Sequence, residues 1–221
     1  MEKKTVGVVL AGCGYLDGAE VHEATLTLLA LDRAGVQVVC MAPDVSQMHV
    51  VDHGEGAPVE GASRNVREES ARIARGPVTD MATVQASDFD ALVLPGGFGA
   101  AKNLSTFAVD GPDCTVQPDV ARLINETFDA GKPLGFICIA PAVGAKVLGH
   151  HGLELTIGND AGTAAAIESL GAKHVDCPVD EIVVDSTRKV VSTPAYMLGP
   201  SIAPVARGID KLVDRVLQWL D

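Results

Sequence analysis

A short apolar strand meets the start of a helix in the stretch Lys132-Pro-Leu-Gly-Phe-Ile-Cys138-Ile-Ala-Pro141-Ala-Val-Gly144. Residues 134–137 carry no polar side chain and are too few for a surface helix, so they predict a buried parallel strand. Pro141 favours the first turn of a helix, because its missing N–H would have no helical partner there in any case. The sequence therefore predicts Cys138 at the corner between a strand and a helix.

A thiol at such a corner is a candidate nucleophile. Unpaired N–H groups and the positive end of the helix dipole meet there, so we expect them to lower the pKa of Cys138 and favour the reactive thiolate. Cysteine is also among the most buried residue types, so an inert core thiol is the alternative. This motif alone leaves both interpretations open.

Composition limits the class of protein. The chain has 221 residues, of which 47% are hydrophobic and 23 are glycine, which is typical of one α/β domain spanning residues 1–221. A net charge of −12 argues against nucleic acid or an anionic membrane as a partner. The sequence contains neither a membrane-length apolar run nor a signal-peptide core, so we expect a soluble, unprocessed, cytoplasmic protein.

The cysteines and histidines do not form metal-binding motifs. Five cysteines lie at long spacings without a C-x-x-C pair, which predicts reduced thiols, and the six histidines show no ligand-like spacing. We therefore expect no metal. Cys13 follows the first predicted strand and could lie near Cys138 as a second, resolving thiol. The alternative is a small residue packed between two glycines.

The order of elements predicts a parallel sheet. Residues 5–10 read as a buried strand, a helix follows and stops at Gly35, and residues 36–41 form the next strand, which is a right-handed crossover unit. Asp17 and Glu20 have the spacing of a capping box for that helix. Further along, residues 182–193 predict a hairpin.

A second glycine-rich turn follows the strand predicted in residues 87–99. Its glycines, including Gly97, let backbone N–H groups approach a ligand closely, as an oxyanion hole requires. A tight turn that binds no ligand is the alternative.

Four motifs in order resemble the ThiJ/PfpI superfamily, also called the class I glutamine amidotransferase-like superfamily. They are residues 17–23, residues 90–97, the corner at Cys138, and Thr193-Pro-Ala-Tyr196. Over nearly the full length, the chain is more closely similar to the ElbB glyoxalase group, which is associated with isoprenoid biosynthesis. The residues that carry this similarity are 96–103, 135–142 and 193–197.

This resemblance implies a flavodoxin-like three-layer sandwich with a mostly parallel central sheet, usually assembled as a homodimer. It also implies a nucleophile elbow whose cysteine is hydrogen bonded to a glutamic acid of the first helix. The residue that matches this acid is Glu23, and Glu20, one turn earlier on the same face, is the competing candidate.

Two departures separate the chain from its wider superfamily. No His-x-Glu follows Cys138, which disfavours glutamine hydrolysis by a full triad, and Gly158 stands where other members have a histidine. His150 and His151 lie nearer but are expected to follow the helix after Cys138. Phe136 and Ala140 occupy the positions that flank the nucleophile elbow, so backbone strain at the cysteine is uncertain.

The resemblance and the thiol together predict a slow, cofactor-independent glyoxalase that converts glyoxal to glycolate. Cys138 would add to the small dicarbonyl substrate to form a hemithioacetal, backbone N–H groups of Gly97 and Ile139 would bind the oxyanion, and Glu23 would move the proton. Two alternatives remain: a redox-sensing or chaperone-like dimer whose cysteine is oxidised, and an amidotransferase-like accessory subunit.

Overall fold

The central sheet of the protein, seen in a computed structural model that describes residues 3–220, has seven strands. Met1, Glu2 and Asp221, at the ends of the expected domain, lie outside the described residues. The sheet order is β10-β11-β7-β6-β1-β2-β5, and only the β10–β11 pair is antiparallel. The strands are β1 (Thr5–Val9), β2 (Gln37–Ala42), β3 (Val51–Asp52), β4 (Ala57–Pro58), β5 (Thr79–Asp80), β6 (Ala91–Leu94), β7 (Leu134–Ile137), β8 (Glu154–Leu155), β9 (Lys173–His174), β10 (Val183–Asp185) and β11 (Val190–Thr193).

Helices cover both faces of this sheet. One face carries α1 and α8, which contact each other, and the other carries α5 and α6. The expected α/β sandwich with a mostly parallel sheet is confirmed. The helices are α1 (Val21–Arg33), α2 (Val66–Ala74), α3 (Phe98–Lys102), α4 (Phe107–Asp110), α5 (Pro118–Asp129), α6 (Ala140–Leu148), α7 (Ala161–Ser169) and α8 (Ile202–Gln218).

Strand β7 shows how the two faces are divided. Side chains alternate along a strand, so neighbouring residues face opposite helix layers. A Cβ on Gly135 would meet Leu212 of α8 at 3.0 Å, whereas the ring of Phe136 packs against Gly144 of α6. Both positions are buried, so this short strand forms the middle of the core.

The sheet has a topological switch point between β1 and β6. From β1 the chain first builds outward through β2 and β5, then returns to β6 on the other side of β1 and builds outward through β7 and β11. In sheets of this kind the loops at the carboxyl ends of the strands form a crevice at the switch point. The loops that follow β1, β6, β7 and β11 share that edge.

The first helix begins differently from the prediction. The expected capping box of Asp17 and Glu20 is wrong, because Glu20 is itself the N-cap and its carboxylate accepts a hydrogen bond from the N–H of Glu23 at 2.7 Å. Asp17 lies outside the helix, and its carboxylate accepts from the N–H of Val51 at 2.7 Å. The residues before Glu20 form a loop, and the loop ends where the N–H of Glu20 donates to the carbonyl of Gly96.

Three smaller pairs of strands complete the fold. The C-terminal hairpin is present, with Val184 opposite Val191. The irregular segment before α2 contains the short antiparallel pair β3–β4, and β8 and β9 form a separate small sheet. Within residues 3–220, no helix combines the length and apolar character that a membrane crossing requires.

The contact between α6 and β7 gives a test of core packing. A Cβ at Gly144 would lie 2.8–3.0 Å from three ring atoms of Phe136, whose side chain is fully buried. Gly144→Ala is therefore expected to destabilise the protein by about 1–3 kcal/mol. Urea unfolding measures the change, and a midpoint equal to that of the wild type would contradict the predicted overlap.

Gly162→Ala is the matched control for this substitution. Gly162 also lies in a helix, but the nearest atom to an added Cβ is Asp160 Oδ1 at 3.6 Å. Alanine loses less conformational entropy than glycine in a helix, so this variant should be unchanged or more stable by up to about 1 kcal/mol.

Candidate active site

Cys138 occupies a strained corner between β7 and α6. Its φ is +63°, in the left-handed region that costs a residue with a side chain on the order of 1–3 kcal/mol. Its N–H donates to the carbonyl of Thr193 at 3.0 Å, which fixes the corner against β11. The strain that the sequence left uncertain is therefore present, and the thiol projects from a nucleophile elbow.

The glycine-rich turn after β6 passes directly beside this thiol. A Cβ at Gly96 would lie 2.8 Å from Glu23 Oε2 and 2.9 Å from the carbonyl oxygen of Ile137, and it would overlap Cβ of Cys138. Gly97 has a φ of +90°, which glycine adopts without the penalty of a side chain. Glycine at both positions lets the loop run between the acid and the cysteine.

Glu23 is fully buried on α1, and its carboxyl group lies beside Cys138, close enough to affect the pKa of the thiol. One carboxyl oxygen accepts from the N–H of Gly96 at 3.0 Å, and the other accepts from the N–H of Tyr196 at 3.1 Å. The structure thus brings together the two residues that were predicted to be catalytic, while their catalytic roles stay a prediction. The competing acid, Glu20, caps α1 and lies in the pocket wall.

Burial dominates the ionisation of Glu23. Removal from water raises its pKa to about 8, and the N–H group of Tyr196 opposes only part of that rise. The negative charge of Glu20 adds to the increase. At neutral pH the carboxyl group therefore holds its proton and can act as a donor.

The pKa of Cys138 is raised, so the expectation of a thiol acidified by the helix is wrong. Burial is the largest cause, and the second is the negative charge that Glu23 carries once it ionises. The N–H groups of Gly97 and Ile139 both donate to the sulfur and oppose the rise. The two amides predicted for substrate binding thus favour the thiolate, but burial and the nearby acid outweigh them.

A pocket of about 490 Å³ opens onto the sulfur. Cys138 is 7% exposed, and the side chains around it are mostly aromatic or aliphatic. Small molecules can therefore reach the thiol through an apolar cleft. The lining residues are Tyr15, Glu20, Gly97, Phe98, Ala101, Phe107, Ala108, Cys138, Ile139, Thr163, Tyr196 and Met197.

Sequence reasoning missed a hydrogen-bonded pair at this pocket. The hydroxyl of Tyr196 lies 2.8 Å from Nδ1 of His22, although 174 positions separate the two residues. Tyr196 also donates its N–H to Glu23, so one residue links the buried acid to the pocket wall. Both residues lie in the motifs that carry the family resemblance, and that resemblance was the only signal in the sequence for this pair. Their spacing in the sequence could not show that the two side chains meet.

Other candidate residues lie elsewhere. His150 and His151 follow α6 as expected, and the ring of His151 packs on Phe128 with centroids 4.6 Å apart. Cys13 is half-buried beside charged groups of α2, including Glu69, and does not line the pocket. In the described part of the chain, no group of three or more His, Cys, Asp or Glu side chains is arranged to hold a metal ion.

Comparison with known proteins adds independent information. A model of the DJ-1/PfpI family matches residues 13–195. The human mitochondrial protein named glutamine amidotransferase-like class 1 domain-containing protein 3 is 52% identical over 222 aligned residues, covering 96% of this chain and 82% of its own length. The mitochondrial ES1 protein homolog of Rattus norvegicus is 50% identical, covering 96% and 83%.

A solved structure has nearly the same fold over the whole chain. It is an isoprenoid biosynthesis protein with an amidotransferase-like domain from Ehrlichia chaffeensis, 39% identical, with a TM-score of 0.91 and coverage of 99% of this chain and 100% of that one. The expected cytoplasmic location is wrong, because the curated relatives at 52% and 50% identity are mitochondrial proteins.

The buried acid gives a testable effect on thiol reactivity. With a pKa of about 8, Glu23 is about half ionised at pH 8, and Glu23→Gln removes this charge, so the pKa of the Cys138 thiol should fall and the thiolate fraction should rise. Alkylation of Cys138 by iodoacetamide at pH 8, followed by peptide mass spectrometry, should therefore be faster in the variant.

Cys13 in the same molecule is the internal control for this experiment. Its surroundings do not include Glu23, so its alkylation rate should stay the same unless the variant unfolds. A Cys138 rate that is equal to or below that of the wild type would show that the acid does not suppress ionisation of the thiol.

Proposed function

Because this chain belongs to the DJ-1/PfpI family, we propose that it is a cofactor-independent enzyme that converts glyoxal-type dicarbonyls to hydroxy acids through Cys138. The family includes glyoxalases and amidotransferase-like proteins. The observation that carries the proposal is the position of the buried carboxyl group of Glu23 beside Cys138, where both groups border Gly96. We assign the chain to the ElbB glyoxalase group, supported by its similarity to the protein from Ehrlichia chaffeensis.

The first step is addition of the thiol across an aldehyde carbonyl. A sulfur–carbon bond forms, the carbonyl π bond breaks, and the thiol proton passes by way of Glu23 to the new alkoxide. While the oxygen is negative, the N–H groups of Gly97 and Ile139 stabilise it, because they already point at the attacking sulfur. The product is a neutral hemithioacetal.

The second step moves hydrogen within the adduct. A base removes the proton from the carbon bonded to sulfur, giving an enediol, and a proton is delivered to the neighbouring carbon. The first carbon becomes a thioester carbonyl and the second a hydroxymethyl group, so one carbon is oxidised as the other is reduced. Water then hydrolyses the thioester, which releases glycolate and restores the thiol. Overall, glyoxal takes up one water molecule to give glycolic acid, so the reaction needs no external oxidant.

Tyr196 supplies a second acid–base group for this sequence. Tyr196 is one of the residues that line the pocket, and its hydroxyl is hydrogen bonded to His22. Burial raises the pKa of Tyr196, and the negative charges of Glu20 and Glu23 add to the rise, so the phenol stays a proton donor. We propose that Glu23, in its ionised form, accepts the proton from the first carbon and that Tyr196 protonates the second.

The alternatives have less support. A redox-sensing cysteine depends on a stable thiolate, and the raised pKa of Cys138 opposes one. Glutamine hydrolysis needs a histidine at the nucleophile, and among the described residues that line the pocket there is none.

Glycolate formation from glyoxal is the direct test. The wild-type protein should produce glycolate, and Cys138→Ser should reduce the rate by at least about 100-fold, because the alcohol has too high a pKa to replace the thiol. Enzymatic detection of glycolate over time measures both rates. Equal rates in the two proteins would reject a nucleophilic role for Cys138.

Tyr196→Phe separates proton transfer from thiol addition. The variant keeps the backbone N–H that binds Glu23, so the rate of Cys138 alkylation should change little. Glycolate turnover should fall by about 100-fold, the usual scale of a general acid–base group. A pH–rate profile that is unchanged in the variant would argue against a role for Tyr196 in proton transfer.

A further inference from the structure

The pocket is much larger than glyoxal. Its volume of about 490 Å³ lies in the range of sites that enclose drug-sized ligands, about 300–1,000 Å³. A molecule with two carbonyl groups and no other substituent would leave most of that space unfilled.

The walls of this space are apolar and partly aromatic. Phe98 is 47% exposed and Tyr15 is 49% exposed, although large aromatic side chains are usually covered. Phe107 and Met197 complete an apolar surface around the opening. Such a surface gains free energy by covering an apolar group of similar size, such as a ring.

The charge of the pocket has one sign. In the described residues that line it, Glu20 carries the only charged side chain. Lys102 is not among the lining residues, although its Nζ lies 4.9 Å from the ring centre of Phe98, and this Nζ donates to the carbonyl of Leu16 at 2.9 Å. An anionic ligand would therefore meet a carboxylate without a cation to balance it.

We propose that the pocket takes uncharged oxoaldehydes with an apolar, ring-sized substituent, and that Glu20 excludes anionic ones. The reaction of oxoaldehydes at Cys138 rests on the proposed function, whereas the selection among substrates rests on the residues of the pocket walls. Glu20 is thus given a role distinct from that of Glu23: it determines which molecules reach the thiol, and it does not transfer the proton.

Three alkylating reagents test this selection without requiring turnover. Iodoacetate, iodoacetamide and iodoacetanilide react in the same way, since the sulfur bonds to the methylene carbon and iodide leaves, but they are respectively anionic, neutral and neutral with a phenyl ring. Rates at Cys138 are measured by peptide mass spectrometry and divided by the rates with N-acetylcysteine, which removes intrinsic differences between reagents.

The expected order at Cys138 is iodoacetanilide, then iodoacetamide, then iodoacetate. The phenyl ring should give an advantage of about tenfold or more over the amide, because it covers apolar surface. Glu20→Gln should raise the iodoacetate-to-iodoacetamide ratio by about three- to tenfold, which is the effect of one nearby charge at intermediate dielectric. Glutamine keeps an oxygen that can cap α1.

Two controls separate the effect of a charge in the pocket from the effect of the net charge of the protein. Glu60→Gln removes one negative charge from an exposed loop and should leave the ratio at Cys138 unchanged. The iodoacetate-to-iodoacetamide ratio at Cys13 should be unaffected by Glu20→Gln, because the charged groups near Cys13 do not include Glu20. If Glu20→Gln does not fold, Phe98→Ser tests the same proposal and should reduce the iodoacetanilide advantage.

Each outcome is decisive. Equal ratios at Cys138 in wild type and Glu20→Gln, or no advantage for iodoacetanilide, would overturn the proposed selection. So would a Cys138 that reacts with none of the three reagents. A protein that shows the expected selection but forms no glycolate would retain this pocket assignment and lose the proposed reaction.

Discussion

A single contact, between the buried carboxyl group of Glu23 and Cys138, accounts for much of the unusual local structure. To make it, the chain holds Cys138 at a positive φ and places glycine at position 96, where any side chain would collide with both partners. The N–H groups of Gly96 and Tyr196 satisfy the carboxyl oxygens. A buried acid and a strained backbone each cost free energy, so the surrounding sheet and helices must supply the stability that keeps them in place.

The pair also changes how the thiol should be understood. A cysteine at a helix N-terminus is commonly expected to ionise easily. Here burial keeps the acid beside it protonated, and burial also opposes ionisation of the thiol. The resting site is therefore close to neutral, and charge develops only when a substrate is present to receive it. This arrangement suits addition to a carbonyl better than storage of a thiolate.

Much of the fold was readable from local patterns. The apolar residues 134–137 followed by Pro141 predicted the corner at Cys138, and the order of apolar runs predicted the parallel sheet. The pairing of Glu23 with Cys138 came from family resemblance, since nothing in spacing alone distinguishes it from Glu20. The start of α1, the raised pKa of the thiol and the contact between Tyr196 and His22 were not accessible. They depend on burial and on contacts between distant segments, which appear only when the chain is folded.

The contact between Glu23 and the N–H of Tyr196 joins the first helix to a segment 173 positions later. During synthesis, the early helix therefore emerges from the ribosome long before the chain contains the group that completes the hydrogen bonding of its acid. Until the C-terminal strands dock, that carboxyl group remains hydrated and charged. Burial of the acid and assembly of the reactive site must then occur together, near the end of translation, so a partly made chain cannot carry a functional thiol.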